Sequence, residues 1–190
     1  MSNVKSYTDA QILERVKSLP SFKSIPNNYW LIGVRSNEDS FNRFDDKAYL
    51  FEGEKFIYVY PITTNAGTDL LNPSNPKGEA VLKADEIYYD SWIRGRHRNK
   101  VEAYVQYKNL PVYRDKNRDT KSDEKGVLDV GMFGINIHPS SYVAGNKQPR
   151  DFIGVWSQGC QVFSTRNDFD IFMGVTKGQK LLTYCLLKEW

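Results

Sequence analysis

One of the chain's two cysteines stands in 153-IGVWSQGCQVF-163, and one of its two histidines stands 22 residues upstream in 134-GINIHP-139. A thiol attacks carbonyls as its thiolate. With an ordinary pKa of about 8.5, only a few per cent is ionised at neutral pH. A neighbouring imidazole can take the proton and leave a thiolate–imidazolium pair. Cys160 with His138 as its base is therefore a candidate nucleophile. Gly159 removes side-chain bulk just before the sulfur. That lets substrate backbone approach, and it leaves the amide N–H of Gly159 or Cys160 to bind an oxyanion. Ser157 can hydrogen-bond an intermediate or orient a partner. The competing reading is packing, because free cysteine is among the most buried residue types. That reading is kept for Cys185, inside the apolar run 181-LLTYCLLK-188.

These residues need a scaffold, and the pattern around them is mostly strand. The runs 29-YWLIGVR-35, 48-AYLFE-52, 55-KFIYVYPITT-64, 86-EIYYDSWI-93, 101-VEAYVQY-107, 110-LPVYRD-115, 133-FGINIH-138, 152-FIGVW-156 and 181–188 are rich in β-branched and aromatic residues. Glu52-Gly53-Glu54 marks a hairpin tip. The run 29–35 is nearly all apolar and is predicted to be buried on both faces. Thr8 with Gln11 forms a capping-box pattern, and Ile12, Leu13, Val16 and Leu19 share one helical face, so a helix is predicted over 9–18. A second helix is predicted from Thr165 or Asn167, with Phe169, Phe172 and Met173 as its apolar face. The loops 65–78 and 114–126 are long and full of turn formers. Such loops on a strand scaffold often shape a site. The expected fold is mainly β, sheet on sheet or a flattened barrel of mixed strands, with one or two short helices. Residues 1–24 read as a helical appendage and 25–190 as one domain carrying the site.

Composition removes several function classes. The 190 residues carry a net charge of +3, too little to argue for a nucleic-acid partner. Two cysteines and two histidines, with no C-x-x-C or H-x-x-x-H spacing, argue against a structural metal site, and no cofactor is implied. No apolar run approaches the roughly 18 residues of a membrane span. The first 20 residues have charges where a signal peptide has its apolar region, so the expectation is a protein made in the cytoplasm and released or delivered to act outside it.

His138 at a strand end, followed by Ser157-x-Gly159-Cys160 after an apolar segment, resembles the catalytic core of the L,D-transpeptidase (YkuD-type) family. The resemblance covers about 134–163, and more loosely the strand-rich chain before it and the helix after it. Pro139 stands where that family commonly has Gly, Gln158 where it has His, and Gln161-Val162-Phe163 where an Arg follows soon after the cysteine. In these departures the chain looks closer to divergent phage and gut-bacterial relatives than to secreted transpeptidases. The resemblance implies a β-sandwich and a thioester acyl-enzyme on Cys160, with His138 as base and acid and peptidoglycan stem peptide as substrate. Transpeptidation and hydrolysis both remain open, with the lytic, endolysin-like side favoured. The same fold holding cell wall or another anionic polymer without turnover is the alternative.

Further candidates lie around the cysteine and in one basic stretch. Trp156, Gln158 and Gln161 flank Cys160 and are candidate substrate contacts, Trp156 as a wall. In 91-SWIRGRHRNK-100, the residues Arg94, Arg96 and His97, with Arg98 and Lys100, offer binding for stem-peptide carboxylates in place of the missing arginine. Thr63, Thr64, Asn65 and Gly67 could line the cleft or simply make a turn.

Overall fold

The computed structural model of the chain describes residues 5–190, so the first four residues of the 1–24 appendage lie outside the described residues. Helix α1 (Asp9–Lys17) starts as the sequence dictates. The Thr8 side chain accepts from the Gln11 amide at 3.3 Å, and the Gln11 side chain accepts from the Thr8 amide at 2.9 Å. Strands β1 (Tyr29–Arg35), β2 (Asp46–Glu52) and β3 (Lys55–Thr63) form a meander, with Gly53 at positive φ in the hairpin turn. Then come β4 (Glu79–Leu82), β5 (Glu86–His97), β6 (Val101–Gln106), β7 (Leu110–Asp115), β8 (Asp129–Gly131), β9 (Ile137–Pro139) and β10 (Gln161–Phe163). Helix α2 (Arg166–Val175) and β11 (Leu181–Lys188) complete the order.

Among the described residues, eight strands close into a barrel in the order β1-β11-β5-β6-β9-β10-β3-β2, and β4-β7-β8 make a separate small sheet. The barrel is mixed: β1 pairs with β11 and β9 with β10 in parallel, and the other pairs are antiparallel. The described residues are thus mainly β with two α-helices, as the sequence predicts.

β1 shows why so many strands read as continuous apolar runs. Alternation sends Leu31 into the barrel core with Leu50, Tyr60, Trp92 and Tyr104. It sends Trp30, Ile32 and Val34 outward, where Ile12, Val16 and Leu19 of α1 and its exit cover them. Both faces of the strand are therefore buried. Inside, α2 drives Phe169, Phe172 and Met173 against Tyr60 and Phe163. Its N-terminus is capped by Thr165, whose Oγ1 accepts from the Asp168 amide at 3.0 Å.

Three segments differ from the sequence reading. The run 152-FIGVW-156 is a turn rather than a strand. Gly154 takes φ +59, Trp156 N–H donates back to Ile153 O, and the Gly154 carbonyl is taken by the Thr68 amide at 3.0 Å. The strand read at 86–93 runs on to His97 and ends in a three-residue turn, Arg98–Lys100, with Arg98 and Asn99 at positive φ. The strand expected at 133–138 is only three residues long and sits later, at Ile137–Pro139.

A buried contact links this scaffold to the cysteine segment. A Cβ on Gly33 would stand 2.0 Å from the Tyr184 hydroxyl, so only glycine leaves room for it. That hydroxyl donates to Gln161 Oε1 at 2.8 Å, and both side chains are fully buried. Gly33→Ala is expected to displace Tyr184 and cost about 1–3 kcal/mol. Tyr184→Phe strands the Gln161 oxygen and is expected to cost about 1–3 kcal/mol. Urea unfolding of the two variants measures both, and a loss below about 0.5 kcal/mol for each would show that the contact does not matter.

Candidate functional site

Short parallel pairing sets the geometry of the site. Gln161 lies opposite Ile137 and Val162 opposite His138. Alternation then splits the residues between two faces. Gln161 and Phe163 point into the barrel with Ile137. Cys160 and Val162 point outward, with Asn136 and His138. Cys160 packs beside Phe44, Ile153, Val162 and Trp156 and remains half-buried, while Cys185 is fully buried in the outer layer. The thiol donates to Gly134 O at 3.5 Å, and the Asn136 backbone N–H donates to its sulfur at 3.4 Å.

The turn before the cysteine is tightly built. Gly159 takes φ +113, and a Cβ there would lie 2.1 Å from the Ala80 carbonyl of β4. Gly67 is pressed in the same way, with its virtual Cβ 2.0 Å from Gly154 O. The Gly67 amide donates to Ser157 O at 3.0 Å. The 63–67 stretch therefore does structural work here. Thr64, next in line, gives both its amide (2.6 Å) and its hydroxyl (2.8 Å) to the buried Asp46 carboxylate. Ser157 is an internal staple: its hydroxyl accepts from the Gly159 amide at 3.1 Å and donates to Cys160 O at 3.0 Å. The Gly159 N–H expected to serve an oxyanion is thereby occupied. Among the described residues, no acceptor engages the Cys160 amide.

His138 is fully buried. Its Nδ1–H donates to Pro139 O at 2.9 Å, which fixes the tautomer and leaves the lone pair on Nε2. That Nε2 is buried without a partner among the described residues, and no hydrogen bond joins it to the Cys160 sulfur. Stacked on the ring at 3.8 Å is His97. Asn136 orients His97 in turn. Its Oδ1 accepts from the Gln106 amide at 3.0 Å, so its Nδ2 faces His97 Nδ1, also at 3.0 Å. His97 Nδ1 therefore accepts, and its proton sits on Nε2.

Burial, and then the neighbouring His97, press the His138 imidazolium down to about 3. Burial, and then Arg98, press His97 down to about 4. Burial pushes the Cys160 thiol up to about 11, against the Asn136 amide and the Arg98 charge, which both favour the thiolate. All three groups are neutral at pH 7. The thiolate–imidazolium pair expected from the sequence is not the resting state, because a dry site disfavours every charge.

The remaining candidates separate by face. Arg94 and Arg96 alternate with His97 along β5, so they point to the other side of the sheet. Arg94 caps the end of α2, donating to Met173 O at 2.9 Å and Thr176 O at 3.1 Å, and pairs with Glu102. Arg96 bonds the Asn99 carbonyl of its own hairpin turn at 3.2 Å. Gln161 is fully buried, with its Nε2 on Gly159 O at 3.3 Å, so it holds the cysteine turn from inside. Trp156 makes an edge contact with Tyr142 and lies under the Arg150 guanidinium at 5.0 Å. Gln158 is exposed and ties the turn to the long loop through Asp69 at 2.7 Å. Cys160 lines none of five surface clefts of about 260–600 Å³. Sequence reasoning missed Asn136 and the stacking of His97. The alternation in 134-GINIH-138, which puts Asn136 and His138 on one face, was the available signal.

No protein-family model matches the chain, and no curated protein matches it. Among solved structures, the crystal structure of Mycobacterium tuberculosis L,D-transpeptidase 1 aligns at 13% sequence identity and a TM-score of 0.29. The alignment covers 84% of this chain, which spans 62% of that one. At that score the alignment carries no argument about this chain. No helix among the described residues is long and apolar enough to cross a membrane.

Two measurements test the neutral site. Alkylation of Cys160 by iodoacetamide, followed by mass spectrometry in native protein, is expected to quicken about tenfold per pH unit from pH 6 to 9. A plateau beginning near pH 6 would reveal a preformed ion pair. Stability should also fall in acid. A histidine whose folded pKa is depressed binds fewer protons folded than unfolded between its two pKa values. That contribution is full above pH 6.5 and is lost as pH falls toward 4 for His97 and 3 for His138. Each should remove up to about 1.4 kcal/mol per pH unit in that window. Urea midpoints that stay level from pH 7 to 5 would contradict it.

Proposed function

We propose that the chain is a cysteine-dependent amide hydrolase or transpeptidase acting on peptidoglycan stem peptides through a thioester. The observation that supports this reading is a half-buried thiol and a tautomer-fixed imidazole on the same sheet face. Among the described residues, the imidazole lone pair has no donor to accept from. The Ser157-x-Gly159-Cys160 pattern and the mainly β barrel are what an L,D-transpeptidase-like domain would present.

In this reading the Cys160 side chain must turn so that its proton reaches His138 Nε2. Proton transfer accompanies attack, because neither ion is stable beforehand. Sulfur adds to the carbonyl carbon, and the carbonyl oxygen takes the negative charge and the Cys160 N–H. Collapse breaks the C–N bond, and the amine leaves with the proton held on His138. Water or a second amine then cleaves the thioester by the reverse route. His97, stacked on His138, acts as a positioning residue. Arg98, whose charge reaches both Cys160 and His138, supplies the cation for a stem-peptide carboxylate. Trp156 and Gln158 border the entry.

The test is incubation with a stem tetrapeptide and, separately, with a carbapenem as acylating probe, read by intact mass. Wild type is expected to form a Cys160 adduct, and His138→Ala to slow it at least about 100-fold. Labelling that is equal at Cys185, or absent altogether, rejects the enzyme reading.

A second reading has its own support. The raised thiol pKa and the missing Cys160–His138 hydrogen bond both suit a binding module of the same fold. Retention on insoluble peptidoglycan by a Cys160→Ala variant, with no turnover by wild type, would favour it.

A further inference from the structure

We propose that the free edge of the small sheet, along β8 and its flanks, takes an extended peptide of L-residues as a fourth strand. The peptide runs antiparallel to β8, and its acidic C-terminal end sits in the basic cleft beside Val127 and Leu128.

The small sheet stops at β8, in the order β4-β7-β8. Its register sets Leu110 opposite Gly131, Pro111 opposite Val130 and Val112 opposite Asp129. Pro111 has no N–H to give, and its carbonyl is turned to the β4 side, where it accepts from the Lys83 amide at 3.2 Å. Pro111 and Val130 are therefore a non-hydrogen-bonded pair, and Val130 turns its own N–H and C=O to the open edge. The alternation continues past the strand. Gln106 holds Gly131 O with its Nε2 at 2.8 Å and the Phe133 amide with its Oε1 at 2.9 Å, so those two residues face inward and Met132 between them faces the edge. Among the described residues, no hydrogen bond engages the backbone of Val127, Leu128, Val130 or Met132.

The side chains along this edge are apolar and open to solvent. Val127 is 90% exposed, Val130 61% and Met132 57%. A sheet usually blunts a free edge with charge or a bulge. Here unpaired amides and carbonyls stand beside exposed aliphatic groups, which is the template for strand addition. The main chain supplies the bonds, and alternate side chains supply the selectivity.

The charges select the occupant. A cleft of about 570 Å³ adjoins the start of β8, and Lys77, Arg114, Lys116, Lys125 and Asp129 line it with Val127 and Leu128. Four cations there face one carboxylate. Asp129 is already shared by Arg114 at 3.0 Å and Lys77 at 3.8 Å, Lys125 pairs with Asp123 at 2.9 Å, and Lys116 has no described partner. Antiparallel addition, the more stable mode, brings the C-terminus of the new strand to this end of β8. A peptide ending in acidic side chains and an α-carboxylate complements the excess of positive charge. The same edge of a second copy does not, because Asp129 is the only acidic residue in 126-GVLDVGMFG-134 and it is already held.

Fluorescence-polarisation titration of the full chain with an N-terminally labelled peptide, Thr-Val-Thr-Val-Asp-Glu, tests this. Saturable binding below about 1 mM is expected. N-methylation of the alternate peptide amides that face β8 is expected to weaken it at least about tenfold. Replacing the acidic end with Asn-Gln-amide is expected to weaken it about fivefold at low salt, a difference that closes in high salt. Val130→Pro deletes the outward N–H without removing a bond to β7, so binding should fall at least about tenfold at unchanged Tm. Lys116→Glu, on an exposed side chain, is expected to weaken binding about fivefold with no bearing on the sheet. Cys160→Ser should bind as wild type does, so this site and the cysteine chemistry stand or fall separately. Absence of saturation, equal binding of the N-methylated peptide, or affinities unmoved by both substitutions would each overturn the proposal. A concentration-dependent dimer in sedimentation equilibrium that Val130→Pro dissolves would also overturn it, by giving the edge to a second copy.

Discussion

The parallel pairing of β9 with β10 is the constraint on which the site depends. Each strand has three residues, too few to hold a register alone. The register is held from outside. Gln161 N–H donates to Asn136 O at one end, and Ser140 N–H donates to Phe163 O at the other. Gln161 is clamped from the barrel interior by Tyr184, which itself needs the space above Gly33. A slip of one residue would turn Cys160 inward and Gln161 outward. The cysteine's position is thus set by a glycine on a strand well over a hundred positions away in sequence.

The same enclosure that orders the site also dries it. Two stacked imidazoles and a thiol lie on one face of the sheet, and burial favours the neutral form of each. Neutrality protects a cysteine from adventitious oxidation, which proceeds through the thiolate. It also means that any reactivity must be triggered by substrate, through a proton moving in step with bond formation. Turn construction supports this arrangement. Ser157, Gly159 and Gln161, all read from sequence as touching substrate or intermediate, form instead a hydrogen-bonded collar around the cysteine backbone.

Much of the fold was legible because its signals are local. The Thr8–Gln11 capping box, the apolar face of α2 and the doubly buried β1 follow from patterns within ten residues. The segment 152–156 misled because its composition is strand-like, while one glycine at positive φ and the incoming 67–68 amides decide its shape. The basic stretch was read as one anion-binding cluster, whereas alternation along β5 divides Arg94 and Arg96 from His97. His97 beside His138 is a contact between β5 and β9, and only the barrel order brings them together. No single-strand pattern reports a contact of that kind.

β1 is bonded on one side to β2, its neighbour in the chain, and on the other to β11, about 150 residues downstream. Until that second partner arrives, β1 presents an open row of amides and carbonyls flanked by Trp30, Ile32 and Val34. Loop closure over such a span comes late and at an entropic cost, so the barrel belongs with slow, non-local folders. A half-made barrel of this kind is sticky along one seam, and helix α1, whose capping contacts are all local, covers the outer face of that strand in the finished fold.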